Sequence, residues 1–366
     1  MDMVPQKPRP ETALREFAVA RSLFTPRTLE HAFERFGFVQ ADPIRAPARA
    51  QDLTLRHRVA GYKAGDLDRL YGGLGVEEDV FINYGFVSRE LHALMHPREQ
   101  PPAISKPRSR RQKLLAFVRD KGDVHPTEVD AHFAHGTVTN YWGGSSNATT
   151  HLLEDMHYRG WLRVTGRDKG IRRYAIRPDT PLPRELSRQE RIDSLVDVVV
   201  NKYAPLPAPS LAYVVGRLRY AVPQWRGLIP TALERARRRL VRERVHGIDW
   251  YWPAGEHPES GSAQDDLRFL TPFDPIVWDR RRFELLWGWP YRFEAYTPAK
   301  KRRFGYYAMP VLWRSEVIGW ANLSVVGGTL DATFGYAARR PPRDRAFSRQ
   351  LDREVERFKE FLALPT

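Results

Sequence analysis

Gln40, Ala41 and Asp42 set a carboxamide and a carboxylate two residues apart in the stretch FGFVQADPIRAPARAQDLTLRHR. Pro43 biases Asp42 toward extended backbone, because the proline ring clashes with a helical residue before it. In extended chain the side chains at i and i+2 share a side, so Gln40 and Asp42 project together while Val39 and Ala41 turn inward. A carboxylate beside an amide can hold and polarise one water molecule. Downstream lie Arg45, Arg49, Arg56, His57 and Arg58, a cationic set suited to a polyanion. The combination points to hydrolysis on nucleic acid. The competing reading is loop chemistry, since Asp before Pro is a common turn residue and a Gln-x-Asp triplet arises readily by chance.

Composition narrows the choice. Lys and Arg number 59 against 44 Asp and Glu, a net charge of +15, with an isoelectric point near 10.1. Such an excess predicts attraction to nucleic acid that weakens steeply with salt, and the arginine fork suits phosphate better than an ammonium does. A membrane partner is not expected, as no basic amphipathic anchor or lipidation signal is present. The absence of cysteine removes disulfides, thiolate nucleophiles and Cys-ligated zinc or iron–sulfur centres. No apolar run reaches the roughly 18 residues of a membrane span. The N-terminus MDMVPQKPRPET lacks a signal-peptide core, so a cytoplasmic, nucleoid-associated protein is expected. The histidines show no two-His-plus-acid spacing typical of a zinc enzyme. His132 and His135 could share a metal but lack an evident third ligand. With no phosphate-cradling glycine loop either, no metal and no cofactor are expected.

Breaks rich in Pro, Gly and Ser at 96–109, 177–187, 253–266 and 338–345 divide the chain. They delimit a disordered tail (1–11), a domain carrying the triplet (12–100), two further domains (108–180 and 186–258), a strand-rich domain (265–340) and a C-terminal helix (342–364). The second domain gives the clearest pattern. Leu114, Leu115, Phe117 and Val118 lie at helical spacing, Pro126 opens a second helix, and Asn147 or Thr149 caps a third before Gly160. A hairpin with the basic tip GRDKG follows, which completes a winged helix whose wing is expected on DNA. Domain three repeats the pattern more weakly and ends in an arginine run, Arg235 to Arg244, that fits either a nucleic-acid face or a solvated helix exterior. In the fourth, YRFEAY, GYYAMPVLW, EVIGWANLSV and TLDATFGY read as strands of a small β-barrel or curled sheet, with Lys300, Lys301, Arg302 and Arg303 at one turn. The expected class is therefore α+β: tandem winged-helix (helix-turn-helix) domains, a small β-barrel-like domain and a C-terminal helix.

The QAD triplet, the tandem helical segments and the stretch LTPFDPIVWDRRRFELLWGW together resemble the bacterial interstrand-crosslink repair DNA glycosylases of the YcaQ/AlkZ type. The resemblance spans about 12–340. It implies tandem winged helices, a β-barrel-like domain, and a catalytic signature of Gln, an apolar residue, then Gln or Asp, here Gln40 and Asp42. The Asp version marks the YcaQ-like branch, and Ala41 is smaller than the usual central residue. The implied reaction is hydrolysis of the N-glycosidic bond of N7-alkylated guanine, including guanines joined across strands, without a cofactor. The implied partner is double-stranded DNA carrying alkylated purines or crosslinks, bound by a monomer.

Under that reading Arg45, Arg49 and Arg56 are expected on phosphates beside the lesion, with His57, Arg58 and the Lys300–Arg303 turn as further DNA contacts. Lys63, the nearest lysine in sequence, is expected in solvent, so a Schiff-base lyase step is not. Asp274 and Asp279 are expected to cap turns or pair with Arg280 to Arg282. The competing functions are a winged-helix transcriptional regulator, which leaves the triplet idle and predicts a dimer on a palindrome, and a protein that only sequesters alkylated DNA.

Overall fold

Three successive stretches of the chain share a helix, a short strand, further helices and a closing hairpin, and the second carries an extra hairpin between its helices. The computed structural model describes residues 10–103, 109–134, 136–139, 145–180, 182, 184–258 and 266–364. Nearly all of the expected tail lies outside these; Pro10 and Glu11 already belong to the first helix, α1 (Pro10–Ser22). The first repeat runs α2 (Leu29–Phe36), β1 (Phe38–Gln40), α3 (Ala50–Leu55), α4 (Asp66–Leu70), β2 (Val76–Val80) and β3 (Tyr84–Ser88), followed by α5 (Arg89–Met95). The second runs α6 (Arg110–Lys121), β4 (Asp123–Val124), α7 (Pro126–Phe133), β5 (Thr137–Thr139), β6 (Ser145–Asn147), α8 (Ala148–Arg159), β7 (Leu162–Asp168) and β8 (Ile171–Ile176). The third runs α9 (Arg188–Tyr203), β9 (Leu206–Pro207), α10 (Ala208–Gly216), α11 (Leu218–Ala221), α12 (Ile229–Arg239), β10 (Val241–Val245) and β11 (Ile248–Trp252).

In each repeat a hairpin closes the unit and its second strand pairs with the short first strand, giving the orders β1-β3-β2, β4-β8-β7 and β10-β11-β9. Local chemistry starts and stops the helices. Thr28, Ser109, Asn147 and Ser187 cap α2, α6, α8 and α9 through side-chain oxygens, and Gly37 and Gly160 end α2 and α8 in the left-handed conformation.

The remaining elements are β12 (Leu267–Phe269), α13 (Arg280–Trp287), β13 (Met309–Trp313), β14 (Glu316–Val326), β15 (Thr329–Tyr336) and α14 (Arg345–Leu362). The four strands form an antiparallel meander in chain order, and among the described residues β12 and β15 do not pair to close a barrel. The reason lies at the β12 edge. Its Phe269 N–H donates to Glu354 at 3.0 Å and its Leu267 carbonyl accepts from Arg357 at 2.8 Å, so α14 satisfies the edge that a closing strand would need. YRFEAY, expected as a strand, is a loop instead. Its Glu294 is buried and accepts from the backbone N–H groups of Arg303 and Phe304 at 2.8 and 2.7 Å, which folds the segment back.

β1 lies between two cores. Phe38 joins the core shared with α1, the third repeat and α13, including Phe81, Val199, Tyr203, Leu211 and Phe283. Val39, pointing the opposite way, joins the core shared with the second repeat and the open sheet, including Phe86, Leu114, Val164 and Phe269. Both are fully buried, which fixes the strand from both faces immediately before Gln40.

Candidate active site

Gln40 sits opposite Gly85 in the β1–β3 register. A Cβ at Gly85 would lie 2.2 Å from the Val39 carbonyl oxygen and 2.9 Å from Gln40 Cα, so the close approach of the two strands requires glycine. Pairing continues through Ala41 N–H to the Tyr84 carbonyl at 3.0 Å. The chain then leaves the sheet at Asp42, whose Oδ1 accepts the Ile44 N–H at 2.9 Å in a local turn. Ala41 packs on the same core as Val39, while Gln40 and Asp42 are both half-buried.

The Gln40 side-chain oxygen accepts two hydrogen bonds, from Asn83 Nδ2 at 2.9 Å and from the Trp278 indole at 2.8 Å. Trp278 is itself packed by Tyr203 at 5.3 Å and stacked by Tyr213 at 6.0 Å, and Tyr213 is 54% exposed. Burial raises the Asp42 carboxyl above its ordinary value of 3.8, a rise opposed by the Ile44 hydrogen bond. The phenols of Tyr296 and Tyr307 are raised chiefly by burial, and the Asp42 charge adds to the rise in each. Tyr296 is 79% exposed.

A cleft of about 600 Å³ opens at Arg45, three residues beyond Asp42 in the chain. Arg45 and Pro47 form one wall and Tyr306, Tyr307, Asn322 and Asp331 the other. Arg45 is exposed and has no carboxylate partner among the described residues. The basic turn borders this cleft through Tyr306. Lys300, Lys301 and Arg303 are exposed, whereas Arg302 is half-buried, donating to the Thr297 carbonyl at 2.8 Å and lying over the Tyr306 ring at 5.0 Å.

The other cations expected on DNA are committed elsewhere. Arg58 is fully buried and holds Asp274 with two hydrogen bonds at 2.7 and 3.0 Å, and also donates to the Ser22 and Thr54 carbonyls. Arg56 pairs with buried Glu354 at 2.8 Å and stacks over Phe358 at 4.4 Å. His57 is buried against the Phe269 carbonyl at 2.9 Å, and desolvation lowers its pKa well below 6.5. Arg49 lies 2.5 Å from Asp68 and 3.5 Å from Asp52. His57 and Arg56 tie the first repeat to β12 and α14, Arg58 ties it to α1 and to Asp274, and Arg49 stays within the repeat. They are corrections to the sequence reading, and the physical reason is common to all four: each is buried or half-buried with its own acceptor.

The hairpin of the second repeat behaves similarly. Its Arg167 and Arg172 reach Glu78 on β2 at 2.6 and 3.5 Å, and Arg163 reaches Glu77 at 2.9 Å, so this hairpin docks onto the first repeat. In the arginine run, Arg235, Arg237, Arg239 and Arg242 have carboxylate partners, while Arg238 and Arg244 are exposed. Asp274 and Asp279 are structural, as the sequence suggests. Asp274 holds Arg58, and Asp279 caps α13 by accepting from the Arg281 and Arg282 N–H groups.

Lys63 is exposed and donates to the Glu360 carbonyl at 2.7 Å. The lysine that sequence reasoning missed is Lys202, buried between the rings of Phe36, Phe38 and Tyr203, where desolvation lowers its pKa to about 7. It donates to the Phe38 carbonyl and so braces β1 from behind. Sequence spacing also missed a cluster of Asp79, His92 and His96, whose ligand atoms lie within 4.8 Å of one another. Arg98 occupies the same carboxylate at 2.9 Å, which suits an ion-pair knot better than a cation site. His132 stacks on Phe117 at 4.6 Å, and His135 lies outside the described residues.

Three topologically related units, an open sheet and a half-buried Gln–Asp pair close in sequence to a cleft lined by Arg45 define a multi-unit protein with one candidate hydrolytic site. The family model described as DNA glycosylase AlkZ-like matches residues 33–361, and the chain belongs to that family of DNA glycosylases. The fold is similar to that of the DNA glycosylase AlkZ of Streptomyces sahachiroi, with a TM-score of 0.61 at 12% identity over 98% of each chain. Among the described residues no helix is long and apolar enough to cross a membrane.

Proposed function

We propose that this DNA glycosylase hydrolyses the N-glycosidic bond of N7-alkylated guanine in duplex DNA, crosslinked guanines included, with Asp42 and Gln40 as the catalytic pair. The observation that carries the reading is the half-buried Asp42 carboxylate three residues before Arg45, an exposed cation that lines a cleft together with Tyr306 and Tyr307. An N7-alkylated purine is already cationic, so it departs without a general acid. Asp42 accepts a proton from water, the water oxygen bonds to C1′, and the C1′–N9 electron pair leaves with the purine and neutralises its charge. An ionised carboxylate about 4 Å from the developing oxocarbenium contributes roughly 4 kcal/mol at an effective dielectric near 20. That corresponds to about 10³ in rate if it acts mainly in the transition state.

A neutral amide is the suitable helper, because a second carboxylate would raise the first one's pKa further. Most enzymes acting on bases rotate the nucleotide out by ~180°, which a base tied to the opposite strand cannot do. An open cleft with Arg45 and the Lys300–Arg303 turn beside it supports recognition of DNA by its backbone instead. The three repeats are read as winged helices and the protein as a monomer acting on chromosomal DNA in the cytoplasm. The docking of the second hairpin onto β2 counts against a regulator that reads DNA with that wing. Lys202 is walled in by rings, so a monofunctional enzyme leaving an intact abasic site is expected. Release of N7-methylguanine from duplex DNA tests the proposal, and tight duplex binding with no base released would contradict it.

A further inference from the structure

Two side chains that can only donate fix the orientation of two amides around Gln40. The Trp278 indole N–H has no acceptor atom, so the atom it meets at 2.8 Å on Gln40 must be the oxygen. The Arg217 guanidinium is likewise donor-only, so the Asn83 atom it touches must be Oδ1. That turns Asn83 Nδ2 toward Gln40, where it donates to the same oxygen at 2.9 Å. Arg217 is held in turn by the Ile82 carbonyl at 2.7 Å and lies over the Trp278 ring at 5.8 Å. Both lone pairs of the Gln40 oxygen are thereby filled, and the amide nitrogen with its two N–H groups is left for the site.

We infer that Gln40 acts in this site only as a hydrogen-bond donor, and that Arg217, Asn83 and Trp278 are positioning residues that fix its amide that way round. The inference rests on the proposed catalytic role of Gln40. It divides the work within the pair. Asp42 is the sole proton acceptor, and Gln40 holds the water by donating to one lone pair while the other faces the sugar carbon.

Single-turnover base release tests the assignment. Trp278→Phe and Asn83→Ala should each slow release by about tenfold, the worth of one well-placed hydrogen bond, with duplex affinity unchanged. In a Gln40→Ala background neither should slow it further, since their effect passes through Gln40. Multiplicative slowing in that background would overturn the positioning role, as would full activity of either single variant. Gln40→Glu assayed at pH 8, which replaces the donor with an acceptor, should be no faster than Gln40→Ala; a fully active Gln40→Glu would overturn the donor role. A second readout needs no activity. In protein labelled with ¹⁵N-tryptophan, Gln40→Ala should move the Trp278 indole resonance, identified by its loss in Trp278→Phe. An unmoved resonance would overturn the hydrogen-bond wiring even where the proposed reaction itself fails.

Discussion

The Trp278 indole donates to the Gln40 side-chain oxygen at 2.8 Å across 238 residues of chain. One partner stands at the end of β1 and the other just before α13, so the candidate site exists only when the first repeat, the third repeat and the segment before α13 are packed together. Fold and site are therefore coupled through this hydrogen bond and through Arg217 on Asn83, and variants should separate into those that touch the cleft and those that hold its walls in place.

Arg45 and the basic turn belong to the first group. Arg45→Ala should weaken duplex binding and reduce the slope of log affinity against log salt by about one, and Lys300→Ala and Lys301→Ala should act alike. Arg56→Ala should leave that slope unchanged, because its guanidinium is already paired with Glu354. Binding isotherms at several salt concentrations would check both statements.

Arg58 and Asp274 belong to the second group. Both side chains are fully buried, so removing either partner strands a charge in the interior. Arg58→Ala and Asp274→Ala should each cost about 3–5 kcal/mol of stability, measured by denaturant unfolding. Loss of less than ~1 kcal/mol would mean that the site relaxes to admit water.

Activity should fall on acidification at a pH above the ordinary aspartate value. Asp42 must be ionised to accept a proton, and burial raises its value above 3.8, so the acid limb of kcat/KM should sit above that value. A limb at or below 3.8 would assign the titration to another group.

Stability should also decline in acid, for a different reason. Burial depresses His57, His92, His96 and His157, with His96 lowered to about 4. Above pH 6.5 neither folded nor unfolded histidine is charged, and no penalty exists. Below 6.5 the unfolded chain takes up protons that the folded chain refuses, so stability drops until the folded values are reached. The slope should be on the order of 1 kcal/mol per pH unit for each such histidine, read from melting curves between pH 7 and 4.

What was legible in the sequence follows from the range of the interactions. The helices of the second repeat and the apolar face of α14 are local patterns of period 3.6 and stand where expected, while Gln40 ends β1 and Asp42 lies just beyond it. The fates of Arg49, Arg56, His57 and Arg58 depend on partners up to 298 residues away, which composition cannot supply. A basic run reads as a phosphate surface until its acceptors are known. The barrel failed to close for the same reason, since Glu354 and Arg357 arrive at the β12 edge from the far end of the chain. Asn83 and Trp278 carried no local signal either, although Trp278 falls within the stretch that marks the family resemblance.

The most direct test compares wild type with Asp42→Asn in single-turnover release of N7-methylguanine from duplex DNA, with duplex affinity measured in parallel. The account predicts release slowed by about 10²-fold or more at unchanged affinity, because the amide keeps the shape of the side chain and loses the proton acceptor. Release by Asp42→Asn at the wild-type rate would contradict it and move the catalytic carboxylate elsewhere in the cleft.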